Sequence, residues 1–160
     1  HLDSGETLLA HLGMSGRMAT VPQGAALEAH DHVVFHLDNH VEVRFNDPRR
    51  FGLMTLCKKT ELGMHKLFKG QGPDPITGDF TPAMLVKALK GRSTSIKAAL
   101  LDQRIVVGLG NIYVCEALFR SGISPKRKAG TINAARAARL VPDIKAVLAE
   151  AIKVGGSSLR

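Results

Sequence analysis

The sequence predicts an α+β protein in which a β-rich half precedes a helix-rich half. Apolar and polar residues alternate within residues 1–57, as they do in half-buried antiparallel strands. After residue 80, apolar residues recur at helical spacing. Between these regions, six glycine and proline residues punctuate 63–80, a composition typical of a linker. We therefore predict one domain at 1–62, a linker at 63–80 and a second domain at 81–160.

The first half contains four segments with strand character, at residues 7–12, 32–37, 41–45 and 51–57. The turn residues Asp38 and Asn39 separate the second and third segments, which indicates a hairpin. We expect its valine and phenylalanine side chains to be half-buried. The first segment leads into a glycine-flanked loop that exposes Met14.

The second half contains four helical segments. Thr81-Pro82 is typical of a cap followed by proline at the first helical position, in a helix that ends before Gly91. Helices are also predicted at 96–103, at 112–121 with Asn111 as its N-cap, and at 133–154. Pro142 is expected to kink or split the last one.

Charge is divided unevenly along the chain, whose formal net charge is +8. Residues 1–80 hold 8 Lys and Arg against 10 Asp and Glu, a net of −2, whereas residues 81–160 hold 14 against 4, a net of +10. A basic half favours a polyanion such as nucleic acid as the partner. There is no apolar run long enough for a membrane span and no signal-peptide pattern, and two widely spaced cysteines suit a reducing compartment, so we expect a cytoplasmic protein.

Four histidines, at positions 30, 32, 36 and 40, raise the question of a metal site. No Cys or carboxylate lies at a recognised ligand spacing beside them, and a predicted turn separates His40 from the others. We therefore expect no metal here. A solvated strand face from which one histidine reaches a phosphate is the favoured interpretation.

Met14 and the segment Arg49-Arg50-Phe51 suggest an action on duplex DNA. An enzyme that extrudes a base must fill the gap left in the stack, and apolar wedges such as Met and Phe do so. Arginine can hydrogen-bond the base left without its partner. The alternative is that Phe51 begins a core strand and the arginines are merely solvated; the residues alone leave both interpretations open.

The glycine-bearing turn before Asn111 joins two predicted helices. A helix N-terminus binds phosphate readily, because its first backbone N–H groups have no partner within the helix. An ordinary helical hairpin that uses glycine only for turn geometry explains the same pattern, so this segment alone does not decide the function.

Four motifs together resemble the bacterial formamidopyrimidine-DNA glycosylase family. They are HLGMSG at 11–16, HDHV at 30–33, NDPRRFG at 46–52 and IKAALLDQRIVVGLGNIYVCEALF at 96–119. The resemblance covers essentially the whole sequence. It implies part of an antiparallel β-sandwich followed by a helix–two-turns–helix domain, with double-stranded DNA bound in the cleft between them. It also implies excision of oxidised purines such as 8-oxoguanine and formamidopyrimidine, followed by cleavage of the abasic strand.

The resemblance implies a role for each matched residue. Met14 matches the family's void-filling wedge and Phe51 its companion, while Arg49 matches the arginine that faces the orphaned cytosine and Arg50 the neighbour that supports the DNA contact. The family's remaining DNA-contacting positions match His30, Arg92, Lys97 and Asn111, the last of which clamps the phosphate of the flipped nucleotide.

The sequence departs from the family in what it lacks. The family's N-terminal proline nucleophile, its catalytic lysine and its four-cysteine zinc finger have no counterpart here. We therefore expect no catalytic residue and no cofactor in this chain, with zinc in the full-length parent, which is expected to be a monomer. The chain itself is expected to bind DNA weakly without catalysis.

Two rival functions remain at this point. An endonuclease VIII-like enzyme for oxidised pyrimidines is a related possibility, although that branch is less similar at Met14 and at residues 49–51. A non-enzymatic nucleic-acid-binding module is a possibility of another class, because the helix–two-turns–helix also occurs in ribosomal proteins. Such a module would need no wedge.

Overall fold

The computed structural model describes residues 1–155 and divides into two compact units, His1–Lys69 and Gly70–Arg160. The division falls inside the segment predicted as a linker. The last five positions of the predicted 81–160 domain lie outside the described residues. Strands occupy the first unit and α-helices the second, which confirms the α+β prediction.

The first unit contains five strands in two antiparallel sheets: β1 (Glu6–His11), β2 (Arg17–Pro22), β3 (Asp31–His36), β4 (Val41–Asn46) and β5 (Leu53–Lys58). One sheet pairs β1 with β5, and the other has the order β2–β4–β3. The predicted hairpin is confirmed as β3 and β4, with Val33 opposite Phe45. Sequence reasoning missed β2, because its RMATVP sequence lacks a clean alternation and ends in proline.

Burial on β4 differs from what its alternation suggested. Val41 and Val43 are half-buried as expected, but the intervening Glu42 and Arg44 are buried more deeply, at 5% and 3% exposure. The Arg44 guanidinium lies 2.7 Å from the Glu42 carboxylate and also donates to the carbonyl oxygens of Ala25 and Ala26. The segment before β3 therefore covers this face of the strand and satisfies its charges.

The second unit contains α1 (Pro82–Leu89), α2 (Ile96–Leu101), α3 (Asn111–Arg120) and α4 (Ala134–Lys153), with a 3-10 turn at Ala129–Thr131. The predicted start of α1 is confirmed, since the Thr81 side chain accepts a hydrogen bond from the Met84 N–H. The helices enclose one apolar core, whose largest fully buried members are Phe80, Leu85, Leu89, Ile96, Leu100, Ile105, Leu118, Leu140 and Ile144.

One prediction about these helices was wrong, and one of the two outcomes predicted for Pro142 does not occur. The N-cap of α3 is Gly110 in an extended conformation, so Asn111 is the first helical residue and not the cap. Pro142 does not split α4, which continues through it. Proline removes one backbone hydrogen bond, to the carbonyl of Ala138; both residues lie on the exposed face, where water can hydrate that carbonyl, while the opposite face packs against α1 and α3.

None of the helices in residues 1–155 is long and apolar enough to cross a membrane.

Candidate nucleic-acid interface

The loop that carries Met14 lies against the loop that carries Arg49, Arg50 and Phe51. Gly13 makes this contact possible: a Cβ added there would lie 2.6 Å from the backbone carbon of Phe51, and its φ of +67° is also one that favours glycine. The Met14 side chain is 76% exposed and that of Phe51 56% exposed. Two large apolar side chains thus project into solvent from adjoining loops.

Phe51 does not begin a core strand, because β5 starts two residues later, at Leu53. The Arg49 guanidinium carbon instead lies 4.7 Å from the centroid of the Phe51 ring, a cation–π contact. This contact directs the guanidinium along the same loop tip as the ring. The structure therefore favours a displayed pair over the alternative of a buried phenylalanine beside freely solvated arginines.

Asp47 connects the two loops through its buried carboxylate. Its side chain accepts a hydrogen bond from the Ser15 hydroxyl at 3.0 Å and another from the Gly52 N–H at 2.7 Å. The Gly52 N–H, foremost among several hydrogen bonds, lowers the pKa of the Asp47 carboxyl below its ordinary value of 3.8, so it is ionised at neutral pH. Ser15 follows Met14 directly, and thus one carboxylate fixes both displayed segments.

The backbone of Asp47 extends the same connection to the HDHV segment. Its N–H donates to the carbonyl oxygen of His30 at 3.1 Å. Its own carbonyl oxygen lies 2.9 Å from Nε2 of His32 and accepts a hydrogen bond from the Arg50 N–H. The five site residues predicted in this unit (Met14, His30, Arg49, Arg50 and Phe51) therefore surround Asp47, which sequence reasoning did not select. The only local signal was its place in an Asp-Pro turn.

His30 and Arg50 both have left-handed backbone conformations, with φ of 74° and 55°. Residues that carry a Cβ adopt this region rarely, and such strain tends to be concentrated at functional positions. In both cases Asp47 holds the backbone, by accepting from the Arg50 N–H and donating to the His30 carbonyl. The conformations are thus imposed by the surrounding hydrogen bonds.

In the second unit, Gln103 organises the double turn between α2 and α3. Its Oε1 accepts a hydrogen bond from the Gly108 N–H at 2.8 Å, and its Nε2 donates to the Leu109 carbonyl oxygen at 3.4 Å. The turn is thereby fixed just before Gly110. No side chain caps the N-terminus of α3, and the Asn111 side chain is exposed beside it. An anion could therefore reach the first backbone N–H groups of this helix.

Arg92 precedes α2 by four residues, and Lys97 lies in its first turn. Arg92 donates from Nε to the Ala88 carbonyl oxygen, and one of its terminal nitrogens lies 3.7 Å from the carboxylate of Asp102. Hydrogen bonds from Arg104 are the main reason that the pKa of Asp102 falls to about 2. Lys97 is half-buried in the first turn of α2. Both residues thus add positive charge near the beginning of α2.

Residues 1–155 contain no group of three or more His, Cys, Asp or Glu side chains placed to hold a metal ion. Two of the four histidines, His30 and His32, have rings 6.3 Å apart, but the nitrogen of His32 is engaged by the Asp47 carbonyl.

The fold and the site define an α+β protein with a helix–two-turns–helix unit. The model of the formamidopyrimidine-DNA glycosylase N-terminal domain matches residues 1–54, and the model of the formamidopyrimidine-DNA glycosylase H2TH domain matches residues 71–160. The chain therefore belongs to the formamidopyrimidine-DNA glycosylase family.

Curated relatives and solved structures agree with this assignment. The formamidopyrimidine-DNA glycosylases of Ruegeria sp. (strain TM1040) and Ruegeria pomeroyi are each 58% identical over 167 residues, a match that covers 99% of this chain. It covers only 59% of each relative, so the chain spans well under two thirds of their length.

Two solved structures superimpose on nearly the whole chain. Lactococcus lactis Fpg in complex with DNA containing an abasic site is 33% identical, with a TM-score of 0.90 over 97% of this chain and 57% of that one. MutM in complex with DNA containing carbocyclic 8-oxo-G is 32% identical, with a TM-score of 0.92 over all of this chain and 60% of that one.

The left-handed backbone at Arg50 predicts an unusual order of stability among its variants. Arg50→Gly should be more stable than Arg50→Ala by about 0.5–1 kcal/mol. Glycine avoids the strain of a Cβ at positive φ, and this gain exceeds the larger chain entropy that glycine loses on folding. Urea unfolding of both variants measures the difference. At Arg49, which is not left-handed, the order should be reversed; the same order at both positions would contradict the assignment of strain.

The Asp47 carboxylate predicts a dependence of stability on acid. Its folded pKa lies below the ordinary value of 3.8, so it stabilises the fold above that pH, and this contribution is lost as pH falls through 3.8 toward the folded value. Urea unfolding between about pH 5 and about pH 3 should show a smaller loss of stability in Asp47→Asn than in the unmodified chain. Asp31 and Glu42, whose pKa values are also lowered, should preserve part of the slope. Parallel profiles for the two proteins would contradict a role for Asp47.

Proposed function

We propose that this chain provides the DNA-binding and lesion-probing part of a DNA glycosylase that excises oxidised purines and cleaves the abasic strand. One observation carries the proposal: exposed Met14 and the Arg49–Phe51 pair project from adjoining loops that a single buried carboxylate, Asp47, connects. The relatives are named formamidopyrimidine-DNA glycosylases, and one solved structure is described as holding 8-oxo-G DNA, which supports double-stranded DNA with an oxidised purine as the substrate.

The wedge role follows from the chemistry of base extrusion. Rotating a nucleotide out of a duplex breaks its stacking and leaves its partner unpaired. Met14 would enter the vacated space, and the Phe51 ring would fill the stack beside the orphaned base. An exposed methionine is suited to this, because its unbranched, polarisable side chain adapts to an irregular gap.

Arg49 would read the base opposite the lesion. A guanidinium held over the Phe51 ring keeps its N–H groups free at the ring's edge, and these can donate to the acceptors of cytosine when that base has lost its partner. Arg50 and His30, on the strained segments beside it, would contact phosphates. The apolar side chains would therefore fill the gap in the stack, while the cationic side chains would recognise the opposite base and bind the phosphates.

The second unit would hold the phosphate backbone. The uncapped N-terminus of α3 offers backbone N–H groups, and the exposed Asn111 amide can donate beside them to the phosphate of the extruded nucleotide. Lys97 and Arg92 would add charge near α2. Such contacts fix the position of the DNA and carry little sequence information.

For the full-length enzyme we propose that an N-terminal amine attacks the sugar C1′, which breaks the glycosidic bond and releases the oxidised base. The resulting Schiff base then allows elimination of the phosphate from the sugar, which cleaves the strand. The residues described in this chain supply the binding and the wedge, and we assign no catalytic step to them. They also do not fit a zinc site, since the chain has only Cys57 and Cys115 and no metal-binding group within residues 1–155. A monomer acting in the cytoplasm, where bacterial DNA lies, completes the proposal.

Removal of the wedge should reduce discrimination without abolishing binding. Met14→Ala and Phe51→Ala are each expected to lower the preference for an 8-oxoguanine duplex over an undamaged one by about tenfold, the scale of one buried apolar side chain at about 1.5 kcal/mol. Competition binding with the two duplexes measures this ratio, and borohydride trapping on the same duplex reports whether any amine of the chain forms a Schiff base.

The control for the wedge is Met64→Ala, which removes an equally exposed methionine of the same unit, 82% accessible and outside the site. It should leave the preference unchanged. If the preference survives both Met14→Ala and Phe51→Ala, these side chains are not the wedge; an unmodified chain without any preference would be a simple nucleic-acid-binding module.

Arg49→Ala should lose the preference for cytosine opposite the lesion. The expected loss is about 1–3 kcal/mol, the range for a good bidentate contact between a side chain and a base. Binding to duplexes that pair the lesion with each of the four bases gives the measurement. Arg17→Ala removes an exposed arginine of the same unit and serves as the control. If opposite-base preference is intact in Arg49→Ala, some other residue reads that base.

A further inference from the structure

The basic loop Lys126-Arg127-Lys128 lies alongside the segment that precedes and begins α2. The Ile96 N–H donates to the Arg127 carbonyl oxygen at 2.7 Å, and the Ala129 N–H donates to the Thr94 carbonyl oxygen at 2.8 Å. Ser95 and Lys128 form an antiparallel bridge between these hydrogen bonds. The loop is therefore attached by backbone hydrogen bonds to the segment between Arg92 and Lys97.

The packing just after the loop makes the attachment rigid. A Cβ added at Gly130 would lie 2.9 Å from the carbonyl oxygen of Arg92, so only glycine allows the two backbones to approach this closely. The flanking Ala129 and Ile132 are buried, at 0% and 3% exposure. The basic loop is thus held in place by the core of the second unit.

The sequence on either side of this loop offers few acids to compensate its charge. Residues 80–142 contain eleven Lys and Arg but only two acids, Asp102 and Glu116. Asp102 pairs with Arg104 and Arg92, and Glu116 pairs with Arg120. Across the described part of the chain, no acidic side chain forms an ion pair with residues 126–128, and both lysines are exposed. Cations that are ordered, exposed and unpaired are suited to a polyanion.

We propose that residues 126–128 form, together with Arg92 and Lys97, a binding surface for the phosphate backbone of duplex DNA that lies outside the lesion. The inference rests on the proposed function and extends the DNA contact beyond the residues assigned to it. Duplex DNA carries one negative charge per roughly 1.7 Å of its axis, so a line of fixed cations can meet successive phosphates. Because phosphates are the same at every base pair, this surface adds affinity but no recognition of damage.

The test is the salt dependence of DNA binding by Lys126→Gln/Lys128→Gln in the whole chain. Glutamine removes the charge with a polar side chain only one atom shorter than lysine, and it leaves the backbone hydrogen bonds intact. Both positions are exposed, so the fold should be retained, and circular dichroism checks this. The slope of log affinity against log salt should fall by about 1.8, since each lost phosphate contact contributes about 0.9. Affinity should fall by the same factor for damaged and undamaged duplexes.

The matched control is Lys66→Gln/Lys69→Gln, which removes two exposed lysines from the first unit and should leave the slope unchanged. Equal slopes for Lys126→Gln/Lys128→Gln and the unmodified chain would overturn the inference, as would a slope change seen only with single-stranded RNA. If the unmodified chain shows no preference for damaged duplex, the proposed function is contradicted. The salt dependence of binding to undamaged duplex would still test this surface.

Discussion

The first unit depends on one buried, ionised carboxylate. Asp47 is only 1% exposed, and a charge in that position is tolerated only when its oxygens accept hydrogen bonds. The donors come from Ser15 and Gly52, on two different loops, so satisfying the charge also fixes the loops relative to each other. The buried hydrogen bonds of Asp47 therefore fix the loops that carry the exposed side chains, without any ligand.

This constraint explains how apolar side chains can be both exposed and ordered. A methionine at the tip of a free loop would have many conformations, and fixing it on binding would cost conformational entropy. Here the loop of Met14 is attached at Ser15 and pressed at Gly13 against the backbone of Phe51, so much of that ordering occurs during folding. If Met14 is the wedge that we propose, such preorganisation would raise its affinity for a duplex.

Local signals in the sequence predicted the elements that local interactions determine. The Thr81-Pro82 cap and the β3–β4 hairpin were correctly predicted, since a cap and a turn depend on neighbours in the chain. Asn111 was misassigned as a cap because glycine and asparagine both occur at that position, and only the backbone shows which one occupies it.

Tertiary contacts decided the features that the sequence did not reveal. Asp47 accepts a hydrogen bond from Ser15, which lies 32 residues earlier in the chain. Arg44 donates to Ala26 and Ala25, which lie 18 and 19 residues earlier. Alternation along β4 correctly indicated half-buried valines, but it could not show that a distant segment covers the polar face as well. Motif resemblance selected the candidate site residues, whose roles stay predictions, whereas the carboxylate that connects their loops was found only in the structure.

The two units solve the problem of holding a ligand by different physical means. The first displays side chains on loops and accepts left-handed strain at His30 and Arg50, which a network around Asp47 must sustain. The second uses the backbone itself, an open helix N-terminus fixed by Gln103, and surrounds it with cations. Loops fixed by strain and by a buried charge keep one geometry, which suits a selective contact. Backbone N–H groups and solvated cations suit a ligand that is uniform along its length. Under the proposed function, the second kind of contact would hold the DNA at any position and the first would probe for the lesion.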